Sequence, residues 1–204
     1  MTDFWLIRHG STDTLNHGIA GWQPGVHLNP IGQQEVRALA LRTADCGATS
    51  IYCSPLERTK TTAQLVAAKL GCPVIEDREL GELDFGDWTG LGFGDLHGDP
   101  LWQRWNTFRS GTRIPRGELM VEVQVRAVQV LLRLRDDRPN QRVLIVSHGD
   151  VIKALVTYFL GMPLDFYPRL EVAPASITQL EVGHEHARLI RLNDCAHLEE
   201  ARIP

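Results

Sequence analysis

The chain has few cysteines, and their spacing excludes the usual metal and disulfide patterns. Its four cysteines are far apart and form no C-x-x-C pair, although zinc and redox sites commonly use that spacing. Reduced thiols in a cytosolic protein fit this distribution better than a disulfide framework does. We therefore predict that the cysteines are packing residues and that the protein needs no metal ion or other cofactor.

The chain also lacks an excess of positive charge and a long apolar run. Its formal net charge is −4 at pH 7, so no overall attraction draws it to nucleic acid or anionic lipid. The apolar run at residues 4–7 is too short for a signal peptide or a membrane span. These absences predict a cytoplasmic protein with no nucleic-acid partner and no membrane partner. The oligomeric state stays open between a monomer and a homodimer.

The composition is that of a folded domain. Hydrophobic residues make up 43% of the 204 residues and charged residues 23%, which is ordinary for a globular protein. The chain contains no internal repeat and no low-complexity tract. We predict a single domain over residues 1–204.

Short apolar runs alternate with longer helical patterns along the chain. This alternation predicts an α/β fold, a three-layer αβα sandwich around a mostly parallel central sheet. The last two predicted strands are close enough to form a hairpin around Gly183. The predicted strands are residues 4–7, 50–53, 73–76, 143–146, 176–182 and 187–192.

Turn and capping residues predict four helices, at residues 30–45, 55–70, 118–136 and 149–160. Asn29 and Ser54 precede the first two helices as capping residues, and each is followed by proline. Gly71 is expected to end the second helix. Valines in the third segment fit both helical and strand spacing, and the length of the segment favours a helix. Residues 84–117, rich in glycine, tryptophan and arginine, are predicted to leave the sheet as a helical and loop excursion that forms a pocket wall.

Two segments share one plan, in which an apolar strand runs directly into a His-Gly pair. They end at His9 and His148, and the carboxyl ends of parallel strands share one ligand-binding edge. A single histidine after a strand is more often structural than catalytic. A structural role is less favoured for two histidines together with Arg8 and Arg58, because buried cations without partners cost free energy. A bound anion would provide those partners. Arginine matches two oxygens of a phosphate, so the pattern indicates a phosphate site.

Four ordered motifs resemble those of the histidine phosphatase superfamily, which includes the cofactor-dependent phosphoglycerate mutases. They span roughly residues 4 to 160. The matching stretches are Leu6-Ile7-Arg8-His9-Gly10 with Thr12 and Asn16, residues 54–63 around Arg58, residues 79–90 around Glu82, and Val146-Ser147-His148-Gly149.

The resemblance implies a role for each matching residue. His9 would accept the phosphoryl group, Arg8, Arg58 and His148 would hold the phosphate oxygens, and Glu82 would act as general acid and base. Surrounding cations would keep His9 neutral, and a neighbouring phosphate would raise the pKa of Glu82. Thr12, Asn16, Gly21 and Gly149 would contribute to substrate binding. Among the other histidines, His17 and His27 are candidates for the pocket edge, and the rest are expected on the surface: His97, His184, His186 and His197.

The resemblance weakens at residues 114–119, where many phosphatase relatives have Pro-Gly-Gly-Glu-Ser. Arg116 and Leu119 depart from that motif, and Glu118 is interpreted as favouring the start of the third helix. The aromatic and arginine residues of the excursion either recognise a carboxylated or aromatic leaving group or form a small core.

The sequence leaves three possible functions. The first is hydrolysis of a small-molecule phosphate ester through a phosphohistidine. The second is phosphoglycerate mutase-type transfer, disfavoured by the short segment between Glu82 and His148. The third is a phosphate-recognising scaffold without turnover, which the presence of His9 and Glu82 argues against.

Overall fold

The computed structural model describes residues 1–201, which form a six-stranded sheet with helices on both faces. This confirms the predicted α/β class. The strands are Thr2–Arg8 (β1), Ser50–Cys53 (β2), Val74–Glu76 (β3), Arg142–Ser147 (β4), Ile177–Val182 (β5) and Ala187–Asp194 (β6).

The strand order is β3-β2-β4-β1-β5-β6. Strands β1, β2, β3 and β4 are parallel, whereas β5 is antiparallel to both β1 and β6. The sheet is therefore mostly parallel, as predicted, and β5 and β6 form the expected hairpin at Gly183. Because β1, β4 and β2 are neighbours in the sheet, their carboxyl ends lie side by side at one edge.

Seven α-helices connect and cover these strands within residues 1–201. Three short 3-10 helices, at Arg78–Leu80, Gly86–Trp88 and Leu164–Arg169, supplement them. The α-helices are Pro30–Thr43 (α1), Glu57–Leu70 (α2), Phe93–Leu96 (α3), Pro100–Thr107 (α4), Met120–Asp137 (α5), Gly149–Phe159 (α6) and Ala196–Glu200 (α7).

Alternating residues of the strands build two separate cores. In β1, Phe4 and Leu6 pack on the face that is covered by α5 and α6, whereas Trp5 and Ile7 pack on the face covered by α1 and α2. This is the period of two that strand geometry imposes. The central strands β1, β2 and β4 are buried on both faces, so they present functional groups at their ends.

Local sequence signals set several helix ends. The side chain of Asn29 accepts a hydrogen bond from Gly32 N at 2.8 Å, as expected of a capping residue. Helix α2 ends at Gly71, which has the left-handed φ of 69° that glycine adopts without strain.

The predicted start of α2 is wrong by two residues. The helix begins at Glu57 with Leu56 at the capping position, and no side chain caps it. Ser54 Oγ lies 2.8 Å from His148 Nε2 and accepts only a long hydrogen bond, 3.4 Å, from Leu56 N, which precedes the first helical residue. The serine hydroxyl therefore binds mainly within the histidine site and caps no N–H of the helix itself.

Helix α5 confirms the preference for a helix over a strand, but its start differs from the prediction. Met120 is the first helical residue, and the Glu122 carboxylate accepts the hydrogen bond from Leu119 N at 2.9 Å. The interpretation of Glu118 as a helix-start residue is therefore wrong. Glu118 lies before the helix and forms an ion pair with Arg126 at 3.0 Å.

One histidine that was expected on the surface is buried. His197, in α7, is only 4% exposed, and its Nε2 lies 3.1 Å from Ala175 O. Helix α7 packs against α1, which covers this side chain. The expectation failed because a histidine near a polar terminus carries no sequence signal of burial. His97, His184 and His186 are exposed as predicted.

The excursion at residues 84–117 carries α3 and α4, and its buried aromatic residues join the core on the α5 and α6 face of the sheet. Trp88 and Trp105 are 3% and 2% exposed. Trp102 stacks on Trp105, with ring centroids 5.2 Å apart and planes 19° apart. These rings fix the excursion against the main body, where it faces the carboxyl edge of the sheet.

Candidate active site

Two strand ends and one helix start bring the predicted site residues together. His9 follows β1, His148 follows β4, and Arg58 lies in the first turn of α2, which follows β2. The backbone N–H of His9 donates to Ser147 O at 3.1 Å and ties the ends of the two central strands together. The two imidazoles therefore lie close, with ring centroids 5.2 Å apart.

Arg58 lies between the two histidines. Its Nε is 3.3 Å from His9 Nε2, and its Nη2 is 3.4 Å from His148 Nδ1. The same Nη2 donates to Gly21 O at 2.9 Å, which fixes the plane of the guanidinium. Arg58 is only 1% exposed, so a permanent positive charge is held in a buried position.

The hydrogen bonds define the tautomer of each histidine. His9 Nδ1 lies 2.7 Å from Gly10 O and must donate to it, which leaves the lone pair on Nε2. His148 Nδ1 faces the guanidinium of Arg58 and acts as the acceptor there, so its Nε2 donates to the hydroxyl of Ser54. A neutral His9 with an unprotonated Nε2 is the form that can attack an electrophile.

Both histidines are held in the neutral form. Burial lowers the pKa of His9 well below 6.5, and the charges of Arg58 and Arg8 lower it further. Burial also lowers the pKa of His148, with Arg58 as the next cause. The site therefore carries two fixed guanidinium charges and two uncharged imidazoles near neutral pH.

The two arginines have unused donors. Arg8 donates through Nη1 to Val172 O at 2.7 Å, but its buried Nε has no partner within residues 1–201. The buried Nη1 of Arg58 also has none among those residues. Buried charged groups without partners are costly, so this arrangement favours an anion that accepts from both. A tetrahedral phosphate oxyanion provides such acceptors.

Glu82 places a carboxyl group beside this cluster. Its Oε2 lies 3.6 Å from His148 Nδ1, and its Oε1 accepts from Leu83 N at 2.9 Å. The side chain is 14% exposed. Burial, reinforced by the negative charge of Asp150, raises the pKa of Glu82 to about 7. A carboxyl with this pKa exchanges protons at neutral pH, as a general acid requires.

The cluster opens into a pocket of about 350 Å³. Its inner end is formed by Arg8, His9 and Arg58, and the excursion forms the outer wall. The pocket is therefore cationic at one end and largely aromatic at the other. The wall residues from the excursion are Phe85, Phe93, Trp102, Trp105, Asn106 and Arg109.

The other predicted site residues divide into two groups. Thr12, Asn16 and Gly21 line the pocket. Gly149 does not, but it packs against Arg8, where an added Cβ would lie 3.4 Å from the guanidinium carbon. His17 and His27 are exposed and do not contribute to the pocket wall, so the expectation that they edge it is wrong.

Sequence reasoning missed Asp150 and the role of Ser54. Asp150 follows the His148-Gly149 pair, lines the pocket and accepts from the hydroxyl of Tyr167 at 3.1 Å. Its position directly after the motif was the available signal. Of the arginines in the excursion, Arg109 reaches the pocket and lies over the ring of Trp105 at 4.0 Å. Arg113 and Arg116 form ion pairs with Glu122 and Asp87 instead.

No group of three or more His, Cys, Asp or Glu residues in positions 1–201 is placed to hold a metal ion. Over the same residues, no helix combines the length and apolarity needed to cross a bilayer.

Comparisons with known proteins agree with this geometry. The model of the histidine phosphatase superfamily (branch 1) matches residues 4–195. A relative named "Probable phosphoglycerate mutase GpmB", from Escherichia coli O1:K1 / APEC, is 33% identical over 185 residues, which cover 89% of this chain and 85% of the relative.

Solved structures resemble the whole fold. Phosphoserine phosphatase from Entamoeba histolytica, solved with 3-phosphoglyceric acid, superposes with a TM-score of 0.88 at 30% identity, covering 97% of this chain and 100% of the other. The α-ribazole phosphatase from Shigella flexneri has a TM-score of 0.85 at 28% identity, with coverage of 95% and 96%. Together with the pocket, these neighbours define an α/β enzyme that acts on phosphate esters. The chain belongs to the histidine phosphatase superfamily.

Proposed function

We propose that the protein is a metal-independent phosphomonoesterase that hydrolyses a small-molecule phosphate ester through a phosphohistidine at His9. The observation that carries the proposal is the orientation of His9. Its Nδ1 is tied to Gly10 O at 2.7 Å, and its unprotonated Nε2 is 3.3 Å from Arg58 Nε in the pocket. A nucleophile held beside fixed positive charge suits attack on an anionic phosphate.

In the first step, His9 Nε2 attacks phosphorus while the bond from phosphorus to the ester oxygen breaks. The carboxyl of Glu82 gives its proton to the leaving oxygen, so an alcohol departs rather than an alkoxide. Arg8 and Arg58 hold the phosphoryl oxygens and stabilise the charge on them. The resemblance implied the same role for His148, but its one N–H donates to Ser54 Oγ, so His148 instead holds the guanidinium of Arg58 by accepting from Nη2. The products are a phosphohistidine, a free alcohol and a Glu82 carboxylate.

In the second step, Glu82 takes a proton from a water molecule. The water oxygen bonds to phosphorus as the bond from nitrogen to phosphorus breaks, which releases inorganic phosphate and restores neutral His9. The positive charge comes from the two guanidiniums, so the proposed chemistry uses no metal ion. Thr12, Asn16 and Gly21 complete the phosphate end of the pocket, and Gly149 packs against Arg8.

Structural relatives support a small-molecule substrate. The neighbours named above are phosphatases for phosphoserine and for an α-ribazole ester, and their chains superpose over nearly their full length. In this chain the outer pocket has Trp102, Trp105 and Arg109 available for the leaving group. We expect the preferred substrate to have a leaving group that fills the outer pocket and contacts these three side chains.

The pH dependence of the first step follows from the pKa shifts. We expect kcat/KM for an alkyl phosphate to fall above about pH 7, because the pKa of Glu82 is raised to about 7 and only its protonated form can donate. His9 stays neutral across the neutral range because its pKa is lowered well below 6.5. The measurement is a kcat/KM profile across neutral pH for the native enzyme and Glu82→Gln. A high-pH loss that persists unchanged in the variant would rule out Glu82 as its source.

Mutase-type transfer is the second candidate, favoured by the relative named as a phosphoglycerate mutase. The two functions differ in the acceptor of the phosphoryl group. We expect the protein to release inorganic phosphate from phosphoglycerates, sugar phosphates, phosphoserine or α-ribazole phosphate. We also expect it not to interconvert 2- and 3-phosphoglycerate when primed with 2,3-bisphosphoglycerate. Interconversion faster than phosphate release would establish the mutase instead.

A further inference from the structure

A second group of charged side chains lies behind Glu82. It borders a separate cavity of about 300 Å³, and its members do not line the phosphate pocket. The segment between the two cavities, residues 79–84, carries Glu82 and is called the acid loop below. The acid loop contains no α-helix or β-strand. Leu80 and Leu83 anchor the loop through fully buried side chains, and Ser147 Oγ donates to Leu80 O at 2.8 Å. The position of Glu82, between these anchors, depends on what holds its own main chain.

Arg126, in α5, holds the acid loop through three carbonyl groups. Its Nη1 donates to Glu79 O at 2.6 Å and to Gly81 O at 2.8 Å. Its Nη2 donates to Glu82 O at 3.0 Å. A planar guanidinium presents its donors in a fixed geometry, so one side chain determines the path of three carbonyls.

Glu118 holds Arg126 in place and also binds the loop directly. Its carboxylate accepts from Arg126 Nε at 3.0 Å and Nη2 at 3.1 Å, a bidentate pair. The same carboxylate accepts from Asp84 N at 2.9 Å, and Glu118 N donates to Asp84 O at 2.9 Å. The pair therefore binds both ends of the acid loop.

Trp22 contacts the same carbonyl from another part of the chain. Its Nε1 donates to Glu82 O at 2.6 Å. The ring lies so close to Gly81 that an added Cβ there would be 2.2 Å from it. The carbonyl of Glu82 thus has two donors, while its carboxyl points to the phosphate pocket.

We infer that Glu118 and Arg126 are positioning residues that hold the acid loop so that the Glu82 carboxyl reaches the leaving oxygen. This inference rests on the proposed role of Glu82 as general acid. A general acid must come within hydrogen-bond distance of its target, and a displacement of about 1 Å can cost about 100-fold in rate. The inference also gives a role to Glu118, which lies in residues 114–119, where the family resemblance weakens.

The test is Arg126→Gln, assayed with two esters. One is glycerol phosphate, whose leaving alkoxide needs a proton, and the other is p-nitrophenyl phosphate, whose leaving group hardly does. We expect the ratio of kcat/KM for glycerol phosphate to that for p-nitrophenyl phosphate to fall about 10-fold or more. Inhibition by inorganic phosphate should stay within about twofold, because the phosphate pocket is untouched. Arg135→Gln is the matched control, since Arg135 lies on the same helix and pairs with Asp136.

A double-mutant cycle separates positioning from general stability. In a Glu82→Gln background, Arg126→Gln should leave the ratio unchanged, because the group that it positions is absent. A ratio that falls equally in both backgrounds, or does not fall in either, overturns the inference. If Glu82→Gln alone leaves the ratio unchanged, the proposed function fails instead.

Two milder variants keep the inference testable if Arg126→Gln does not fold. Trp22→Phe removes a single donor to Glu82 O and keeps most of the ring, and Glu118→Gln removes the charge but keeps an acceptor. We expect each to lower the ratio less than Arg126→Gln would, with melting temperature measured alongside. A native ratio in both variants would contradict the inference.

Discussion

Replacing His9 with alanine is expected to abolish turnover of phosphate esters. The variant lacks the only protein atom proposed to bond to phosphorus, so kcat should fall by about 10⁴-fold or more. Binding of inorganic phosphate should persist, because Arg8 and Arg58 remain in place. The measurements are steady-state phosphate release and competitive inhibition by phosphate.

The matched control for this variant is His97→Ala. His97 is exposed and does not line the pocket, so its removal should leave kcat within about twofold. A near-native rate in His9→Ala would remove His9 as the nucleophile. Loss of phosphate binding together with turnover would indicate a collapsed pocket, which melting curves of the two variants would reveal.

Replacing Glu82 with glutamine is expected to have the second largest effect, and the effect should depend on the leaving group. Glutamine is similar in shape but cannot donate a proton of comparable acidity. We expect kcat/KM for an alkyl phosphate to fall by about 10²-fold or more, the usual contribution of a general acid. The value for p-nitrophenyl phosphate should fall far less.

The control for Glu82→Gln is Glu79→Gln, in the same loop. The side chain of Glu79 is exposed, and the loop contacts at this residue come from its backbone. This variant should retain native rates with both esters. Equal slowing of both esters by Glu82→Gln would argue that Glu82 acts through structure or charge rather than by proton transfer.

The strands and several helix ends were predictable because their sequence signals are local. Apolar strands, a capping Asn29 and a terminal Gly71 each act within a few residues of the chain, and the structure contains all of them. Ser54 shows the limit of that reasoning, because its hydroxyl has two competing uses. Its shorter hydrogen bond is to His148, 94 residues away in the chain, and spacing alone does not reveal such a partner.

The approach of His9, Arg58 and His148 was predictable from topology, since parallel strands share one carboxyl edge. The contacts that hold the acid loop were not predictable in the same way. Arg126 and Trp22 reach the acid loop from positions 44 and 60 residues away from Glu82, and neither has a sequence pattern that indicates this contact. Asp150 follows the His148 motif directly, but its effect on the pKa of Glu82 depends on how the two elements pack.

The excursion left two interpretations open, and the structure contains both. Trp88 is buried in the main core, Trp105 is buried there and also lines the pocket, and Trp102 and Arg109 line the pocket. The composition of the segment could not separate these roles, because stacked rings can have one face in the core and one toward the cavity. The identity of the leaving group depends on this wall.

The most direct test of the account is to trap the intermediate. The enzyme would be mixed with a ³²P-labelled ester, quenched in alkali within milliseconds, and digested for peptide mapping. We predict a label that survives alkali, is lost in acid, and maps to His9, with no label in His9→Ala. A label on any other residue, or native turnover with no labelled protein at any quench time, would contradict the phosphohistidine mechanism.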